Sequence, residues 1–200
     1  MCNEHRRTVE LGRISDAFAQ LRIPLRFPEG APNLASLDSI RITDPTAIVR
    51  AAREAGSAAG TAELVQRRWS WPGPGGKPVY NFRSDGREFG AGRCLIIADG
   101  FYEFTAPADT KAKRKDRWLF TVPGAAMLGI AGLTRIDPAV GEAFTMLTTE
   151  PGPDVAPYHG RQIAVLPPER WSAWLNPAVP ARDLLQPLPA GSLAVQSSPR

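Results

Sequence analysis

The sequence predicts an α+β domain: a mainly antiparallel sheet that curls toward a sandwich or open barrel, with helices at its periphery. Three observations point there. Short apolar runs separated by turn residues recur at Cys94 to Ala98, Phe101 to Phe104, Trp118 to Val122, Met127 to Leu133, Phe144 to Thr148 and Gln162 to Leu166, the length and spacing of antiparallel strands. A stretch of helical periodicity precedes these runs and a short helical segment follows them. Finally, 200 residues with 43% hydrophobic and 22% charged content supply one sizeable core and do not favour two full domains. Residues 1–200 are therefore read as one domain, with a Pro-rich tail over about 180–200 that is extended or partly disordered.

Between Thr8 and Leu21, the apolar residues Leu11, Ile14, Phe18 and Leu21 recur every three or four positions, the stripe of an amphipathic helix, and Pro24 and Pro28 end it. Ser39 to Ile42 alternates as a short strand. Asp44-Pro45 reads as an N-cap with a first-turn proline, which predicts a helix through Ala51 or Arg53. Gly56 to Gly60 is a flexible connector, and Glu63 to Trp69 is taken as a strand. Trp69 and Trp71 border a Gly/Pro loop from Gly73 to Pro78, where their immediate neighbours cannot cover them. Pro167 to Trp171 opens a short helix ending at Leu175, and Lys111 to Lys115 forms a solvated hairpin tip able to graze a phosphate backbone.

Composition bounds the function. No apolar run follows the charged Asn3 to Arg7 segment, so neither a signal peptide nor a membrane span is expected, and the protein is expected to be cytoplasmic. Two cysteines are too few to staple the chain, and two histidines, His5 and His159, form no visible metal cluster. No cofactor is expected. Net charge is +4, and all basic residues except four lysines are arginines, the side chain that grips phosphate in a bidentate way.

The chemistry starts at Met1-Cys2. Removal of Met1 leaves Cys2 with a thiol and a free α-amine, whose ordinary pKa values are about 8.5 and roughly 8. Such a 1,2-aminothiol captures aldehydes: the amine forms an imine, and the thiol closes on its carbon to give a thiazolidine. It can also attack an amide, and a cysteine at a frayed end can do nothing at all. Three other places carry polar groups that the pattern does not require. Asn81 and Arg83 alternate on one face of a strand, Glu103 follows an Asp99-Gly100 turn that reverses or bends the chain, and His159 sits at a sheet end. Cys94, inside an apolar run, reads as a buried structural thiol.

Taken together, these residues give the chain a resemblance to the SOS-response-associated peptidase (SRAP) family. Arg93 to Phe104 is close to that family's signature Arg-Cys-(Leu/Ile)-x-Pro-Ala-Asp-Gly-(Phe/Tyr)-(Tyr/Phe)-Glu-Trp. Met1-Cys2, Asn81-x-Arg83, and Thr148-Thr149-Glu150 followed by Pro157-Tyr158-His159-x-Arg161 stand in the family's order. The resemblance implies an α+β fold with a strongly curved antiparallel sheet. It also implies a protein, expected to be a monomer, whose cysteine traps the ring-opened aldehyde of an abasic site in single-stranded DNA. Carried over, Cys2 is the nucleophile, Glu103 the general acid/base, and His159 assists sugar opening or later proton transfers. Asn81 bonds the sugar or the cysteine backbone. Arg83 and Arg161 hold phosphates, and Trp69 and Trp71 stack or wedge beside the lesion. Asn3-Glu4 replaces the usual Gly-Arg, a substitution for which Arg6 or Arg7 would have to compensate. Ile97 replaces the signature Pro, and Asp85 stands where Glu is common. An amino-terminal-nucleophile amidohydrolase and a noncatalytic single-strand-binding module are the competing readings.

Overall fold

The computed structural model describes residues 2–54, 56–107, 109, 111 and 113–199. In chain order, strand β1 (Glu4–Arg7) precedes helix α1 (Leu11–Gln20), followed by β2 (Leu25–Arg26), β3 (Leu37–Arg41), β4 (Pro45–Ala51), β5 (Ala62–Trp69) and β6 (Trp71–Pro72). Then come β7 (Pro78–Val79), β8 (Asn81–Arg83), β9 (Arg93–Ala98), β10 (Gly100–Thr105), β11 (Asp116–Thr121), β12 (Leu128–Asp137) and β13 (Gly141–Thr149). The chain ends with β14 (Gln162–Ile163), β15 (Val165–Leu166), helix α2 (Trp171–Leu175) and β16 (Ala194–Ser197).

The larger sheet runs β14-β13-β12-β9-β4-β5-β2, and a parallel pairing of Ala143 and Phe144 with Arg68 and Trp69 joins β13 back to β5. That pairing closes β13, β12, β9, β4 and β5 into a five-stranded barrel, a fuller closure than the open barrel expected. A second, all-antiparallel sheet has the order β16-β11-β10-β1-β3. Alternation along the barrel strands divides the core in two. Val49, Leu64, Leu95, Ile97, Ala131 and Leu147 pack with Ile14 and Phe18 of α1 and Trp171 and Trp174 of α2. The opposite set, with Ile48, Ile96, Ile130 and Met146, packs with Cys2 and with Phe101 and Phe120 of the second sheet.

Among the connections that carry the chain between the two sheets is the signature Asp99-Gly100. The turn bends the chain and makes no hairpin: β9 belongs to the barrel and β10 to the second sheet. Asp99 holds the corner by accepting bonds from the Thr8 backbone N–H at 3.2 Å, the Thr8 hydroxyl, and Arg6 Nε at 3.3 Å. A Cβ at Gly100 would lie 2.7 Å from Leu119 Cδ1 and 3.1 Å from Phe120 O, so a larger residue there would have to displace the Leu119 side chain.

Asp44-Pro45 corrects the helix expected there. The Asp44 carboxylate accepts the Arg41 backbone N–H at 2.8 Å while the Asp44 N–H bonds Arg41 O at 3.0 Å, which closes a tight turn with Thr43 at φ 85°. Thr46, Ile48 and Val49, all β-branched, then favour a strand, and β4 pairs with β5 on one side and β9 on the other. The tail beyond residue 180 is also more structured than expected through residue 199: Leu184, Leu185 and Leu193 are buried, and β16 pairs with β11. Of the basic segment, Ala112 lies outside the described residues, while Lys111, Lys113, Arg114 and Lys115 are exposed between β10 and β11.

Candidate functional site

The site forms where β1, β8 and β10 converge. β1 pairs with β10 in a register that sets His5 opposite Phe101, which brings the residues preceding β1 alongside Glu103. The Cys2 backbone N–H lies near enough to the Glu103 carboxylate to favour its charged form, and Asn81 Nδ2 donates to the Cys2 carbonyl oxygen at 2.7 Å. Cys2 Sγ donates to Glu4 O at 3.2 Å. The main chain of Cys2 is thus held from two sides, and its side chain is turned into the core at 1% exposure.

Glu103 is also 1% exposed. Burial pushes its carboxyl up to about 7, so both protonation states are populated near neutrality. Burial, and then the Glu103 charge, raise the Cys2 thiol well above its ordinary value. The resting group is therefore a neutral thiol, and proton removal has to accompany its attack.

His159 stands on a turn fixed by its own N–H to Val155 O at 3.0 Å and by Tyr158, whose ring packs against Trp118 and Phe120. Its Nδ1 accepts the Arg161 backbone N–H at 2.9 Å, which in the neutral ring leaves the proton on Nε2. Burial lowers its pKa, and Lys115 adds repulsion. Glu103 and His159 line one groove of about 920 Å³ together with Asn3, Arg41, Phe104, Arg114, Lys115 and Arg117. Among the described residues no group of three or more His, Cys, Asp or Glu side chains is placed to hold a metal ion, and no helix is long and apolar enough to cross a membrane.

Cys2, Asn81, Glu103 and His159 thus come together, and Arg83 lies exposed on β8 two positions from Asn81. The other expected contacts are placed differently. Trp69 is fully buried, stacked on Phe144 with its Nε1–H on Tyr80 O at 2.8 Å. Trp71 is 6% exposed beneath the Arg135 guanidinium. The reason is Ser70, whose φ of 81° bends the chain between the two and whose N–H bonds Phe144 O at 2.7 Å. Neither indole offers a face to a base. Arg7 is buried and donates to Val9 O and Ala35 O, Arg6 pairs with Asp99, and Arg161 pairs with Asp85 at 2.7 Å and Glu150 at 2.6 Å. These three guanidiniums serve the fold.

Sequence reasoning missed Arg41, Arg117 and Asn3 as groove residues. Glu4, at the position of the family's usual arginine, accepts Ser39 Oγ and Arg117 Nη1, both at 2.8 Å. It anchors the groove wall from beneath. The spacing of β1, β3 and β11 in sequence gives no sign that they are neighbours.

Comparison with solved structures supports the fold across the whole chain. A protein from Bordetella bronchiseptica is 22% identical with a TM-score of 0.70, each chain covered in full. A phage-related protein from the same organism is 18% identical with a TM-score of 0.72, covering 100% of this chain and 95% of that one. A protein from Bacteroides thetaiotaomicron is 15% identical with a TM-score of 0.71, covering 98% and 91%. No curated protein matches the sequence. Residues 81–198, which carry Asn81, Glu103 and His159, match the family model described as SOS response associated peptidase, and the chain belongs to that family.

Proposed function

We propose that the protein, within the DNA-damage association of its family, traps abasic sites in single-stranded DNA as a covalent thiazolidine on Cys2 once Met1 is removed. The observation that carries this reading is the contact between the Cys2 nitrogen and the Glu103 carboxylate. With Met1 gone that nitrogen is the α-amine, already beside a carboxyl poised near neutrality.

His159 assists opening of the sugar by moving the proton of the C1 hydroxyl toward the ring oxygen, which frees the aldehyde. The amine lone pair attacks C1, and the carbinolamine loses water as Glu103 supplies a proton to the departing hydroxyl. Cys2 Sγ then bonds C1, the iminium electrons return to nitrogen, and the thiol proton passes to the Glu103 carboxylate. One water leaves overall, and Glu103 ends in its starting state. Asn81 keeps the Cys2 backbone still while its side chain turns toward C1.

Incubating the Met1-free protein with a single-stranded oligonucleotide bearing one abasic site is expected to give a heat-stable adduct that Cys2→Ala does not form. No adduct from protein whose intact mass shows Met1 removed refutes the proposal. Ammonia release from glutamine by the same preparation supports amide cleavage in its place.

A further inference from the structure

The expected phosphate contacts Arg6, Arg7 and Arg161 are committed to the fold, so the cations that meet DNA must be sought in the groove itself. Four line it. Arg117 is spoken for: it bonds Glu4 and Ser198 O and lies 4.1 Å over the Tyr102 ring. Arg41, Arg114 and Lys115 are exposed, and none of them makes an ion pair among the described residues; Arg41 Nε bonds only Ser39 Oγ, at 3.2 Å. Desolvating these three on binding a polyanion therefore breaks no charge pair within the protein.

Their placement follows from strand order. Arg41 ends β3 at one edge of the second sheet, opposite Glu4 of β1. Glu103 lies on β10, and Arg114 and Lys115 immediately precede β11. From β3 to β11 is three interstrand steps, about 14 Å, the span of a short run of nucleotides. Lys115 is close enough to His159 to help depress its pKa, which places the basic end of the groove beside the proposed chemistry.

We infer that single-stranded DNA crosses this sheet transverse to its strands, its phosphates held by Arg41 on one side and by Arg114 and Lys115 on the other, with the reacting sugar over Glu103. This inference rests on the abasic-site reading for the sugar and on the charge layout alone for the track. A single strand is the partner because Glu103 is buried at the groove floor, and a sugar reaches it only by leaving the stack, which costs least where no pairing is broken.

The test measures binding of an intact single-stranded oligonucleotide against salt for the parent, Arg41→Ala, Arg114→Ala/Lys115→Ala, Arg83→Ala and Arg13→Ala, the last an exposed arginine on α1. Each phosphate contact removed is expected to flatten the slope of log Kd on log salt by about 0.7, so by about 1.4 for the double variant, with Arg13→Ala matching the parent. Unchanged slopes in both groove variants, flattening by Arg83→Ala alone, or no salt-dependent binding by the parent overturns the track. An adduct with abasic DNA alongside unchanged slopes removes the track and leaves the covalent reading. Flattened slopes without an adduct do the reverse.

Discussion

Asn81 Nδ2 holds the carbonyl oxygen of Cys2 at 2.7 Å across 79 residues of chain. Asn81 is itself fixed by β8, which runs parallel to β13 with Asn81 opposite Met146. Through this donor the barrel helps set the position of the Cys2 main chain. Replacing that donor by Ala leaves the Cys2 carbonyl unpaired, a cost of about 1–3 kcal/mol, which corresponds to a roughly 5- to 150-fold slower adduct formation if it falls on positioning. Single-turnover crosslinking should show this loss while the thermal midpoint moves by only a few degrees. A rate within about two-fold of the parent would mean the bond does not position the reacting group.

Glu103 predicts two pH effects of opposite character. In the proposed reaction, the protonated carboxyl is needed to expel water and the free amine is needed to attack, so with Glu103 at about 7 and an amine ordinarily near roughly 8 the rate should peak between those values. Glu103→Gln should slow the reaction and leave only the rise toward the amine pKa. For stability the folded pKa lies above the unfolded one. The folded state therefore binds the proton more tightly, and stability falls as pH rises from about 4.5 to about 7, by about 3 kcal/mol in total. Glu103→Gln should be the more stable protein at pH 8 in denaturant titrations, and a variant that is less stable there contradicts the desolvated carboxyl.

Much of the candidate site was legible in the sequence because its residues lie within short local motifs: the alternation around Asn81, the Asp99-Gly100 corner before Glu103, and the turn presenting His159. What was not legible depended on tertiary neighbours. The helix expected after Asp44 failed because a capping residue and a turn residue look alike until the chain closes on Arg41. Trp69 and Trp71 looked exposed because the side chains that cover them, Phe144 and Arg135, lie on β13 and β12. The arginines misled for the same reason: a guanidinium suited to phosphate is equally suited to Asp85, Asp99 or backbone carbonyls. Arg93, in the most specific stretch of the sequence, bonds Phe89 O and Val179 O and covers Trp174.

His5 makes acid a specific liability. Its ring is fully buried edge-on to Trp69, neither nitrogen has a hydrogen-bond partner among the described residues, and burial and then Arg7 lower its pKa to about 3. The unfolded chain takes up the proton from about 6.5 downward and the folded chain does not. Stability is therefore lost as pH falls through that window, by about 2 kcal/mol at pH 5. His5→Phe, apolar and of similar shape, is expected to remove this part of the acid dependence. Urea midpoints of parent and variant should converge near pH 8 and separate toward pH 5, and parallel profiles would show that His5 does not titrate across the transition.

Arg161 separates a positioning role from a phosphate contact. Its guanidinium is 9% exposed between Asp85 and Glu150 and also bonds Thr148 O at 2.9 Å, while its backbone N–H holds His159 Nδ1. The side chain thus ties the loop after β8 to the His159 turn and fixes which imidazole nitrogen faces the groove. Arg161→Ala should lose about 1–3 kcal/mol of stability through the missing charged hydrogen bonds. It should also slow adduct formation with a displaced His159 limb in the pH–rate profile, and Arg161→Lys should recover only part of both, since an ammonium cannot span two carboxylates in the guanidinium's planar fork. The deciding measurement is the salt dependence of binding to intact single-stranded DNA. A positioning residue leaves that slope at the parent value, whereas a residue that grips phosphate flattens it by about 0.7.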